Sequence, residues 1–97
     1  FKVDHLIINL PSESKRLRFL DINLNLTPFK PSDHKILEEN KSLINDVIIS
    51  TASTMEPNEL NTVSGKILLE SRLRKNINAK LERDIVKDIY FTNYVVQ

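Results

Sequence analysis

Cysteine is absent from this 97-residue sequence, so neither a disulfide framework nor thiol chemistry is open to it. Glycine occurs once, at Gly65. Phosphate-cradling loops and dinucleotide turns need several glycines where backbone approaches ligand, so that class of site is excluded. No apolar run approaches the roughly 20 residues that span a bilayer, and no signal-peptide pattern is present. Neither sign of charge prevails. Fourteen basic against 13 acidic residues leave a formal net charge of +1, which offers no global field to gather nucleic acid or anionic lipid.

What is present reads as one globular domain. With 40% hydrophobic and 28% charged residues the chain falls outside the disordered class. Its length leaves no room for a second independent core. Phe1-Lys2-Val3 already has the pattern of an interior element, so the chain is expected to be a piece of a longer one, residues 1–97 forming a single domain.

Residues 5–10 place Leu6, Ile8 and Leu10 opposite Ile7 and Asn9, as in a strand. After a polar turn at 11–16, Leu20, Ile22, Leu24 and Leu26 alternate with Asp21, Asn23, Asn25 and Thr27. That period of two predicts a sheet with one buried and one wet face. The two segments read as an antiparallel hairpin.

Pro28 and Pro31 end the second strand, and Ser32 or Asp33 can cap a helix that starts there. Ile36, Leu37, Leu43, Ile44, Val47 and Ile48 form one helical stripe, predicting a single helix to about Ser50 or Thr54. Pro57 opens a short helical turn through Leu60. A second long helix, capped by Thr62 or Ser64, runs to about Leu81. Its spine is Leu69, Leu73, Ile77 and Leu81, with Ile67 and Leu68 widening the apolar face. The last strand runs from about Ile85 to Gln97, with Ile89, Phe91 and Val95 facing opposite to Tyr90, Thr92, Tyr94 and Val96. Both faces are apolar, so the strand is expected inside the sheet or covered on both sides. The order is β-β-α-(short α)-α-β, an α+β fold with two long helices on one face of a small antiparallel or mixed sheet.

Few residues point to chemistry. His5 and His34 lie far apart, without the spacing of a metal or catalytic cluster. Glu38-Glu39 and Glu82/Asp84 sit in charged, solvated stretches rather than in a pocket that would shift a carboxyl. No serine has elbow glycines or a histidine partner. An enzyme is excluded on this reading, and no cofactor is expected. The basic clusters Lys15, Arg16, Arg18 and Arg72, Arg74, Lys75 lack interleaved aromatics, so nucleic acid is not expected as a partner. They read as solvated surface or as a protein interface. Tyr90, Thr92 and Tyr94 share one face of the last strand. That face either packs under a helix or, since aromatics are enriched at interfaces, meets a partner or another subunit.

The closing "VKDIYFTNYVVQ" resembles the terminal signature V-x-D-V-Y-F-T-x-F-V-x-Q of the flagellar basal body-associated FliL family. Val86, Asp88, Ile89, Tyr90, Phe91, Thr92, Tyr94, Val95 and Gln97 fit it, Tyr94 standing where Phe is usual. "ELNTVSGKILLESRLRKNIN" is similar to the family's preceding helix at Leu60, Thr62, Gly65, Leu69, Leu73, Ile77 and Asn78, while Ser64 stands where an acidic residue is common. "LIINLPSESKRLRFLDINLNL" resembles its first two strands. The resemblance implies a stomatin-like (SPFH) domain in the periplasm, held by an N-terminal inner-membrane anchor. It implies ring-like self-association and contact with the stator proteins MotA and MotB, favouring their engaged state in swimming and swarming. The alternative is a general stomatin-like scaffold regulating another membrane complex.

Overall fold

The computed structural model describes residues 1–12 and 16–97. Strands β1 (Lys2–Leu10) and β2 (Arg18–Pro28) form the hairpin. A 3-10 turn (Pro31–Asp33) leads into helices α1 (His34–Glu39), α2 (Lys41–Ala52), α3 (Pro57–Leu60) and α4 (Val63–Leu81), and strand β3 (Val86–Val96) closes the fold. The sheet is antiparallel throughout, in the order β1-β2-β3. The helices cover one face, α2 against β1, α3 against β2 and α4 against β3.

The alternation in β2 does what its period requires. Leu20, Ile22, Leu24 and Leu26 are fully buried beneath the helices, and Asp21, Asn23 and Asn25 are half-buried on the other face. Each such aliphatic side chain contributes about 1.5–3 kcal/mol by leaving water. Val3, Ile8 and Leu10 from β1, Leu37, Ile44 and Ile48 from α1 and α2, and Leu69, Leu73 and Ile77 from α4 complete the core.

Four expectations need correction. The stripe from Ile36 to Ile48 is two helices, not one. Asn40 breaks it at φ −113°, ψ 24°, its Nδ2 donating to Ile36 O at 2.8 Å in competition with the backbone ladder. Neither Ser32 nor Asp33 caps a helix with its side chain. The 3-10 turn runs straight into α1, so Asp33 already has helical dihedrals, and its carboxylate lies 3.9 Å from Arg83 Nη2. Ile67 and Leu68 stay exposed instead of widening the core face of α4. Finally, β3 is an edge strand, because the hairpin already occupies the other side of β2.

The facing of β3 changes as well. Asn23 pairs with Asn93 but Leu24 pairs with Phe91, so Thr92 is an extra residue in a β-bulge. Parity inverts there. Ile89, Phe91, Tyr94 and Val96 pair with Leu26, Leu24, Ile22 and Leu20 and so lie on the helix side, while Tyr90, Asn93 and Val95 face outward. The apolar residues of both parities thereby serve one buried face. A matching bulge in β1 lies between Val3 and Leu6, where His5 takes φ 44° and its N–H donates to Asn23 Oδ1 at 2.8 Å.

Candidate functional site

The N-terminal half of α4 and the open edge of β3 together form the most distinctive surface. Its position is set by the single glycine. Thr62 is the N-cap, its Oγ1 accepting from Gly65 N at 2.9 Å and donating to Glu59 O at 2.7 Å. A Cβ on Gly65 would meet Glu59 O at 1.8 Å, so only glycine lets α4 start this close to α3.

From that start the 3.6-residue turn sends Gly65, Leu69, Leu73 and Ile77 inward and places Val63 and Ile67, one turn apart, on the flank above β3. Val63 is 77% exposed, Ile67 63% and, across from them on β3, Tyr90 57%. With Lys66, Glu70 and Phe91 they line a cleft of about 420 Å³. Lys66 Nζ sits 5.9 Å from the Phe91 ring centroid and 5.3 Å from that of Tyr94. The two rings meet edge to face with centroids 5.1 Å apart. Glu70 is tied to Arg74, Nη1 to Oε1 at 2.7 Å.

Both ends of β3 are fixed to the helices. Tyr94 OH donates to Leu60 O at 2.7 Å, and burial pushes its phenol up to about 12. Asn78 near the end of α4 accepts at Oδ1 from the N–H groups of Ile85 (3.1 Å) and Val86 (2.8 Å) and donates from Nδ2 to Val86 O (3.0 Å). Glu82 then reverses the chain at φ 59°, in the left-handed region. The last residue is held too, Gln97 N donating to Phe19 O at 2.8 Å.

The sequence-derived candidates separate on this frame. Tyr90 lines the cleft and Thr92 is the exposed bulge residue, whereas Tyr94 belongs to the inner face and does not share theirs. Arg72 and Arg74 are two residues apart on α4 and so point to sides of the helix about 160° apart; Arg72 and Lys75 are exposed, and Arg74 is half-buried. The three do not form one patch. Lys15 lies outside the described residues, Arg16 is exposed, and Arg18 Nε donates to Gln97 O at 3.0 Å.

His5 Nε2 lies 3.4 Å from Asp21 Oδ1, and His34 Nδ1 3.2 Å from Glu38 Oε1. Glu39 lies 3.9 Å from Lys35, and Glu82 and Asp84 are exposed. Among the described residues, no group of three or more His, Asp or Glu could hold a metal, and no helix is long and apolar enough to cross a membrane. Sequence reasoning missed Val63, Lys66 and Ile67. The signal was available: Ile67 stands about 160° around the helix from Leu69, too far to join the spine.

The residues that line the cleft include no histidine, cysteine, serine or threonine. Apolar walls, one cation over two rings and an open strand edge suit it to holding another polypeptide. A family model described as flagellar basal body-associated protein FliL matches residues 1–97. The flagellar protein FliL of Aquifex aeolicus (strain VF5) is 33% identical over 61 residues, 63% of this chain but only 38% of the length of that relative.

Proposed function

The chain belongs to the FliL family of flagellar basal body-associated proteins, and from that premise we propose that it is a periplasmic scaffold of the flagellar stator. The family is a flagellar accessory one and not an enzyme family. In this reading residues 1–97 are a single stomatin-like domain, carried on an inner-membrane anchor that precedes them in the longer protein. Copies associate into a ring around the stator proteins MotA and MotB and favour their engaged state, supporting motility and swarming.

The observation that carries the reading is the exposed apolar flank of Val63 and Ile67 beside Tyr90 at the edge of β3. Large apolar side chains grouped at an unpaired sheet edge are costly to leave in water and invite association. A membrane anchor raises effective concentration, so weak contacts suffice for a ring.

The test is Val63→Glu with Ile67→Glu in the full-length chromosomal copy. Both sites are exposed, so the fold and its circular dichroism stay unchanged, while swimming under viscous load and recovery of MotB with the protein both fall. A strain with full torque and normal recovery of MotB would reject the reading.

A further inference from the structure

The sequence holds two triplets of the form Asn-x-Ser/Thr, Asn25-Leu26-Thr27 and Asn40-Lys41-Ser42, the acceptor pattern for an asparagine-linked glycan. The fold separates them sharply. Asn25 lies mid-way along the central strand, between Lys2 on one side and Tyr90 on the other, with its backbone held in the ladders of both neighbours. It cannot take up the turn-like conformation an acceptor needs without undoing the sheet.

Asn40 is placed quite differently. It is the residue that breaks the apolar stripe into two helices, with non-helical φ −113° and ψ 24°. Glu38, Glu39, Lys41 and Ser42 around it are all exposed. Its Nδ2 carries two hydrogens, one of which is donated to Ile36 O. Lys41 and Ser42 are the first two residues of α2, a helix end whose leading N–H groups have no intrahelical partner, so local opening of this corner costs less than opening of the sheet. Glu38 supplies, two residues before Asn40, the carboxylate that bacterial transferases add to the acceptor pattern, and Asn23 stands at the equivalent place before Asn25.

We propose that Asn40 is an acceptor site for an N-linked oligosaccharide. The donor is an oligosaccharide linked through a diphosphate to a polyprenyl lipid, supplied with its transferase by the host membrane. Asn40 Nδ2 forms a bond to C1 of the reducing-end sugar as the bond between C1 and the diphosphate oxygen breaks. The lipid diphosphate leaves, and the amide proton passes to a carboxylate of the transferase. The inference rests on the extracytoplasmic placement of the domain proposed above. Helix α2, which Asn40 precedes, packs on β1 and α4, whereas the cleft is lined from α4 and β3.

The test uses the full-length protein in cells that contain a bacterial oligosaccharyltransferase and its lipid-linked donor, read by intact and peptide mass spectrometry. The expected result is one added oligosaccharide on the Asn40 peptide, retained in Asn25→Gln and lost in Asn40→Gln, Ser42→Ala and Glu38→Gln. The Ser42→Ala variant keeps Asn40 and its bond to Ile36, so loss there does not arise from a disturbed corner. Placement is read separately by Lys35→Cys, compared with the parent protein without that substitution, with a membrane-impermeant maleimide on intact cells. A labelled protein with bare Asn40, or a glycan on Asn25, would overturn the inference and leave the placement standing. An unlabelled protein would overturn both.

Discussion

Strands β2 and β3 are both 11 residues long, both apolar, and hydrogen-bonded to each other, yet they follow different rules. In β2 every second residue is buried from Leu20 to Leu26 without interruption. In β3 the register slips at Thr92 and again beside Val86, and its inner residues come from both parities. A central strand is constrained on two sides by neighbours and keeps its period. An edge strand answers to one neighbour only and can absorb an extra residue by bulging toward solvent. The bulge also blunts the edge, leaving Asp88 to Phe91 as its regular stretch beside the cleft.

The contrast is broken or sharpened most strongly by paired truncations. Ile22→Ala, at a site with no exposure, is expected to cost about 3 kcal/mol. Val95→Ala, paired with Asp21 on the outward face, should cost under about 0.5 kcal/mol. Urea denaturation midpoints at constant slope measure both, and equal costs would abolish the distinction between the faces.

Next in size is Gly65→Ala. In an ordinary helix interior this change gains about 1 kcal/mol. Here the new methyl would collide with Glu59 O, so a loss of about 2 kcal/mol is expected. A rise in melting temperature would mean that α3 and α4 can part freely and that the cleft is not rigidly placed. Asn78→Ala removes the polar junction between α4 and β3 and leaves the buried N–H groups of Ile85 and Val86 without its Oδ1. About 2 kcal/mol is at stake, and hydrogen exchange should quicken first at Ile85 and Val86.

Tyr94→Phe, which deletes the bond to Leu60 O, should cost about 1 kcal/mol. Its pH signature is more telling. Burial raises the phenol from 10.0 to about 12, so the folded state keeps this proton when the unfolded state has lost it. The stabilising contribution is complete below pH 10 and is lost as pH rises toward 12. Phenylalanine has no such proton, so denaturation curves of the variant should lack that alkaline decline. An outward Tyr94 would give identical pH profiles in both proteins.

Much of this architecture was legible in the sequence because each signal had one physical reading. The alternation in β2, Pro57 at the first residue of α3 and Thr62 before a 19-residue helix all fell where periodicity and capping put them. The break at Asn40 did not, since a polar residue between two apolar pairs looks like the solvent side of a continuous helix. The bulge at Thr92 was hidden because residues of both parities in β3 are apolar, and pattern alone could not say which to invert. That error separated Tyr94 from Tyr90 and turned an expected aromatic face into one exposed ring and one half-buried, hydrogen-bonded anchor. Ile67 reads as core for a related reason: apolar character alone does not carry the angle around the helix that sets it beside Val63. The arginines of α4 look like one group because they are close in sequence, although neighbours on a helix diverge in space.

The central claim is that the cleft between α4 and the edge of β3 is the face that meets the motor. It is tested most directly by placing a photo-reactive amino acid at Ile67 of the full-length protein, or at the exposed Ile49 of α2 on the other side of the helix layer, and illuminating swimming cells. The account predicts adducts from position 67 that contain a stator subunit or a second copy of the chain, and none from position 49. Adducts from position 49 alone, with position 67 yielding only monomer, would contradict it.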